Sequence, residues 1–102
     1  MSIDVLAIGA HPDDADLGVG GLLCKLALAG KQAVMLDLTK GELGSRGTVE
    51  ERRVEAAESA KLLGILGRRN AGLPDGGIAN TPEQRLVLIR ILRELKPTVL
   101  LA

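Results

Sequence analysis

Phenylalanine, tyrosine and tryptophan are all absent from the 102 residues, so any core must be built from Leu, Ile, Val and Ala. The same absence removes the rings on which proteins stack single-stranded bases, which argues against nucleic acid as a partner. Neither sign of charge is in excess: Lys plus Arg and Asp plus Glu each total 13, and the formal net charge is zero. That balance offers no electrostatic attraction to nucleic acid or to an anionic membrane. No apolar stretch approaches the ~20 residues a transmembrane helix needs. The N-terminus also lacks the basic region and long apolar run of a signal peptide. One cysteine, Cys24, cannot form an internal disulfide and fits a reducing, cytoplasmic setting. Placed among Leu22, Leu23 and Leu26, it reads as a small buried hydrophobe rather than a reactive thiol. Histidine is equally scarce: His11 is the only one.

What is present alternates. Residues 3–10 (IDVLAIGA) and 33–38 (AVMLDL) are short apolar runs suited to strands buried on both faces of a parallel sheet. Between them, a polar HPDDAD loop and then Gly18, Gly20 and Gly21 precede a helical pattern carried by Leu22, Leu23, Leu26 and Leu28, with Gly30 as its C-terminal cap. A loop with three glycines spans residues 39–48. Thr48-Val49-Glu50-Glu51 then matches a capping box, opening a helix with Val54, Ala57, Leu62, Ile65 and Leu66 inward and Gly67 as its stop. Residues 69–73 lead into the turn Pro74-Asp75-Gly76-Gly77. Thr81 and Pro82 cap a third helix whose inner face is Leu86, Ile89, Leu92 and Leu95. Pro97 ends that helix, and residues 98–102 (TVLLA) resemble a central strand. The order β-α-β-α-(β)-α-β predicts an α/β, Rossmann-like parallel sheet with flanking helices and right-handed crossovers. Residues 1–102 form one domain in this reading, expected to be the N-terminal portion of a larger one, since nothing follows the last strand.

The chemistry gathers after the first strand. In a parallel sheet, that loop lies at the crevice where ligands bind. It holds His11, Asp13, Asp14 and Asp16 within six residues. An imidazole and a carboxylate three positions apart converge on one cation in a tight loop, whose shape Pro12 restricts. Zinc accepts both donor types, and a catalytic zinc takes three protein ligands plus water. His11 and Asp14 are therefore the candidate metal ligands. Asp13 is the candidate base for a water acidified by the metal. A bland reading competes at each position: a histidine in a loop serves no site as a rule, and aspartates before a helix act as N-caps, the role expected of Asp16. Four such residues at a strand mouth, however, pack nothing and repel one another without a cation.

The run Ala10-His11-Pro12-Asp13-Asp14-Ala15-Asp16-Leu17-Gly18, followed by Gly20-Gly21, resembles the signature of the PIG-L/LmbE-type zinc-dependent de-N-acetylases. Asp37-Leu38-Thr39, Gly41-Glu42-Leu43-Gly44, the helix start over residues 48–57 and Leu73-Pro74-Asp75-Gly76 extend the likeness over nearly the whole chain. The likeness is strongest to the bacillithiol-pathway branch, which deacetylates N-acetylglucosaminyl-malate. It implies a hydrolase that removes the acetyl group from a small N-acetylglucosamine conjugate. His11 and Asp14 would bind Zn2+, with Fe2+ as an alternative occupant, and Asp13 would be the general base. Arg52 would contact substrate, where a guanidinium can grip a carboxylate bidentately, and Asp75 would accept sugar hydroxyls. On the residues alone, Arg52 reads equally well as a solvated helix charge, and Asp75 reads first as a turn residue. The resemblance also implies homo-oligomers.

Two departures stand out. The family commonly has glutamate at Asp16. It also has a His-x-x-His-type segment after the next strand, supplying a third ligand and a second catalytic histidine, and this chain has no such segment. The 102 residues are accordingly expected to carry only part of the site. Two other readings fit less well, and a third, non-catalytic one stays open. Asp14-Ala15-Asp16 has the Asp-x-Asp spacing of a magnesium-dependent phosphatase but leaves His11 and Pro12 without a role. Gly18-Val19-Gly20-Gly21 is an incomplete dinucleotide fingerprint behind an acidic loop. A non-catalytic paralogue that keeps the motif as an interaction domain would use an exposed strand edge.

Overall fold

In the computed structural model, residues 2–12, 14–43 and 48–102 are described. Asp13 and Gly44, both named above, lie outside the described residues, as do the side chains of Asp16 and Leu62. Seven elements follow in the expected order: β1 (Val5–Gly9), α1 (Asp14–Leu28), β2 (Ala33–Asp37), α2 (Val49–Leu63), β3 (Gly67–Asn70), α3 (Pro82–Leu95) and β4 (Val99–Leu101). All pairings are parallel, and the sheet runs β3-β2-β1-β4.

Alternation along the central strands divides the core in two. Val5 and Ala7 of β1, with Ala33 and Met35 of β2, face α1 and pack on Leu23, Val19 and Leu26. Leu6 of β1, with Val34 and Leu36 of β2, faces α3 and packs on Ile91 and Leu95. With both faces covered, period-2 polarity disappears, which is why these strands read as continuous apolar runs. The chain lays down β1, β2 and β3 in one direction, then returns α3 across the other face to place β4 on the far side of β1. A doubly wound sheet has its ligand crevice at that reversal, outside the carboxyl ends of the strands. The loop after β1 stands there.

Several expectations need correction. The first helix starts at Asp14, not after the glycines, so Asp14 and Asp16 occupy its first turn and Gly18, Gly20 and Gly21 its body. Carboxylates in a first turn suit the positive end of the helix. Burial of Leu23 against the sheet offsets the helix cost of about 1 kcal/mol per glycine. Asp16 is thus an interior helix residue rather than an N-cap. The second helix ends at Leu63, where Gly64 adopts the left-handed conformation (φ 72°), so Ile65 and Leu66 lie beyond it and Gly67 opens β3. Ala56 is its buried contact, while Val54 is 42% exposed. On α3, Ile91 and Leu95 are buried, whereas Leu86 and Ile89 face solvent. The buried stripe is Val87, Leu88, Ile91, Leu92 and Leu95, so Leu92 and Leu95 lie where predicted and Leu86 and Ile89 do not. Cys24 is half-buried. Within the described residues β4 is the outermost strand beside β1, with Val99 and Leu100 exposed. The predicted caps hold: Thr48 accepts from the Glu51 amide (3.0 Å), Thr81 from the Gln84 amide (3.2 Å), and Gly30 turns the chain at φ 81°. No helix among the described residues is long and apolar enough to cross a membrane.

Candidate metal centre

The loop carrying His11 is pinned from below by a buried threonine. Thr39, fully buried at the end of β2, donates both its amide (3.0 Å) and its hydroxyl (2.9 Å) to the Ala10 carbonyl. Its hydroxyl also accepts from the Gly41 amide (3.1 Å), and its carbonyl accepts from Asn70 Nδ2 (2.7 Å). One residue therefore ties the loops after β1 and β2 to the end of β3.

Past Ala10 the chain tightens into α1. Asp14 closes the turn from both ends: its amide donates to the His11 carbonyl (3.2 Å), and its Oδ2 accepts from the His11 amide (2.9 Å). The same oxygen lies 3.5 Å from His11 Nδ1. On the far side of the ring, Nε2 is 2.6 Å from Asp75 Oδ1. Asp75 is delivered by the turn after β3, in which the Gly77 amide donates to the Pro74 carbonyl (2.9 Å). Its second oxygen accepts from the Leu43 amide (2.8 Å), and its own amide donates to Glu42 Oε2 (3.0 Å). The Leu43 amide, with smaller contributions from His11 and Arg52, outweighs the desolvation that opposes it and holds the Asp75 carboxyl below the usual carboxylate range. The Asp75 amide likewise lowers Glu42.

Arg52 completes the frame. Its Nη1 donates to the Gly41 carbonyl (3.0 Å) and its Nη2 to the Pro12 carbonyl (3.1 Å), so it joins α2 to the ligand loop. Gly41 has φ 68°, and a Cβ there would overlap the guanidinium. Gly41→Ala is therefore expected to cost about 1–3 kcal/mol through left-handed strain alone and to dislodge Arg52, visible as a lowered urea midpoint. A stability unchanged within error would show that the clamp is not maintained in solution.

His11, Asp14, Arg52 and Asp75 thus converge, while Asp13 lies outside the described residues. Two openings flank them. A cleft of about 400 Å³ runs between α1 and β4, lined by Ile8, Asp14, Val19 and Leu101. A cavity of about 320 Å³ lies on the other side of Pro12, toward Lys40, Arg53 and Asn70. Among the described residues, no group of three or more His, Cys, Asp and Glu side chains is arranged to hold a metal ion. The pair present nonetheless suits zinc in chemistry and spacing. Zinc–nitrogen and zinc–oxygen bonds of ~2.0–2.2 Å at a tetrahedral angle set two donors about 3.3–3.5 Å apart, against 3.5 Å between His11 Nδ1 and Asp14 Oδ2.

Residues 6–102 match the family model described as PIG-L, GlcNAc-PI de-N-acetylase. The chain belongs to the PIG-L family. The conserved protein TT1542 from Thermus thermophilus superposes with a TM-score of 0.91 at 50% identity, covering 96% of this chain and 44% of that one. The N,N'-diacetylchitobiose deacetylase of Pyrococcus horikoshii gives a TM-score of 0.86 at 32% identity, covering 97% of this chain and 40% of that one. The diacetylchitobiose deacetylase of Thermococcus kodakarensis is 33% identical over 104 residues, 95% of this chain and 39% of its own length. The chain therefore spans well under half the length of these relatives.

Against the PIG-L background, Thr39, Glu42 and Asn70 are the site residues that sequence reasoning left without a role. Asp37-Leu38-Thr39 and Gly41-Glu42 carried part of the likeness, and that was their only signal. Their hydrogen bonds join residues about 30 positions apart, a separation no local pattern encodes.

Proposed function

We propose that this chain contributes the first part of a zinc-dependent site that hydrolyses the acetamide of an N-acetylglucosamine conjugate. The observation that carries this reading is the convergence of His11 and Asp14, 3.5 Å apart at the crevice of a doubly wound sheet, in a PIG-L family member. Relatives named as diacetylchitobiose deacetylases support the reaction class. His11 and Asp14 would hold the metal, which when bound polarises the amide carbonyl and acidifies water. Asp13, between them in sequence, takes the proton of the attacking water. Arg52 and Asp75 border the place of the sugar, each within one hydrogen bond of the ligand loop, at Pro12 and His11 respectively. A malate conjugate as substrate and a cytoplasmic setting are the finer parts of the same reading. They rest on the Gly41-Glu42-Leu43 and Leu73-Pro74-Asp75-Gly76 motifs and on the lone Cys24.

Zinc titrated calorimetrically into the metal-free whole protein bearing this chain is expected to saturate at one ion per molecule. In the whole protein bearing this chain, acetate release from N-acetylglucosamine conjugates is expected to stop on chelation and return with zinc. A whole protein bearing this chain that takes up no zinc, or acetate release indifferent to chelator, would overturn the reading.

A further inference from the structure

We infer that Asp75 is a positioning residue that fixes His11 as its Nε2–H tautomer and thereby reserves Nδ1, on the Asp14 side, as the metal-binding nitrogen. The inference rests on the metal site proposed above and adds an orientation and a residue to it.

The geometry of Asp75 carries the argument. Its side chain is 7% exposed, and both oxygens are engaged: Oδ1 at 2.6 Å from His11 Nε2, and Oδ2 at 2.8 Å from the Leu43 amide. An ionised carboxylate only accepts hydrogen bonds, so the hydrogen in the short contact belongs to the imidazole. A neutral imidazole with its proton on Nε2 has its lone pair on Nδ1. That nitrogen faces Asp14 Oδ2, at a separation suited to two donors on one zinc.

The rest of the frame keeps each partner from turning. The His11 amide is held by Asp14 Oδ2 (2.9 Å), which sets the direction of the ring from its own backbone. The Asp75 amide is held by Glu42 (3.0 Å), and the turn carrying it passes through Gly76 at φ 77°. A carboxylate on the distal nitrogen of a metal-bound histidine orients the ring and raises its basicity. Asp75 stands in that relation to His11, and the family likeness, which implies only a sugar contact, does not include it.

Long-range proton–nitrogen correlation spectra of the isotope-labelled 102-residue chain test this directly. His11 is the only histidine, so its ring signals are unambiguous. Without metal, and at a pH high enough for the ring to be neutral, the spectrum is expected to show hydrogen on Nε2 alone. With zinc, or with an NMR-active cadmium isotope, Nδ1 is expected to carry the metal signature. Asp75→Ala is expected to mix the two tautomers and weaken zinc roughly 10- to 100-fold, while Asp75→Asn, which keeps an acceptor, falls between. Metal on Nε2, or hydrogen on Nδ1 instead of Nε2 in the neutral ring of the metal-free chain, overturns the inference while leaving the metal site standing. So does an Asp75→Ala variant with the wild-type spectrum and zinc affinity. If zinc reaches His11 neither here nor in the whole protein bearing this chain, the site reading falls and the assignment of Nδ1 falls with it.

Discussion

Asp37→Ala is expected to destabilise the chain by about 3–5 kcal/mol, the usual cost of removing one member of a buried ion pair. Asp37 ends β2, and its carboxylate receives Arg68 Nε at 2.7 Å and Nη2 at 2.9 Å from the neighbouring strand. The side chains are 4% and 8% exposed, so water scarcely screens either charge. Alanine removes the carboxylate that balances the guanidinium. A domain of this size holds only about 5–15 kcal/mol in all, so a large share of its stability goes with it. The effect reaches the site, because the two residues after Asp37 are Leu38 and Thr39, and Thr39 holds the Ala10 carbonyl.

A second variant separates charge balance from simple loss of packing. Replacing the pair by apolar side chains, Asp37→Leu with Arg68→Met, removes both desolvated charges together and is expected to recover most of the stability. Urea denaturation of the wild type, the single variant and the double variant decides it. A loss below about 1 kcal/mol for Asp37→Ala would place the pair among solvent-screened surface bridges. A double variant no better than the single one would show that shape, not charge, is what the pair supplies.

This ion pair also marks the limit of what the sequence could reveal. Element order, helix count and caps follow from local rules: the apolar runs of β1 and β2, Thr48 and Thr81 before their helices, Gly30 after the first. The tight turn from His11 to Asp14 was legible for the same reason, since His11, Pro12 and Asp14 are neighbours in the chain. Helix faces were harder. The first half of the α3 stripe was misread, with Leu86 and Ile89 outward, because Leu86-Val87-Leu88-Ile89 is apolar throughout and only the sheet decides which side is buried. The start of α1 was misplaced because glycines read as a loop, whereas tertiary burial of Leu23 and acidic residues at the helix start override that propensity. Contacts between strands, such as Arg68 with Asp37 or Asp75 with His11 across 64 positions, have no local signature. Composition said that charged residues were there, and only the fold said which faced each other.

His11→Ala is expected to weaken zinc by more than the roughly 10- to 100-fold that loss of an outer-shell partner costs, because the chain has no second imidazole to substitute. Asp14 calls for a subtler change, since its Oδ2 serves two masters: it accepts from the His11 amide at 2.9 Å and lies 3.5 Å from His11 Nδ1. Alanine there would remove the loop closure together with the ligand, and a loss of binding could then be blamed on a loosened loop. Asparagine keeps an oxygen for the His11 amide while discarding the negative charge that stabilises a bound dication. Asp14→Asn should therefore retain the wild-type thermal midpoint within about a degree or two, less than the shift a 1 kcal/mol loss produces in a domain this size. It should nevertheless lose zinc nearly as fully as His11→Ala. If zinc affinity survives Asp14→Asn, the carboxylate is a helix-start residue and the metal, if bound, sits elsewhere. If affinity and midpoint fall together, Asp14 acts through the loop. Lost affinity at an unchanged midpoint is the result expected of a ligand.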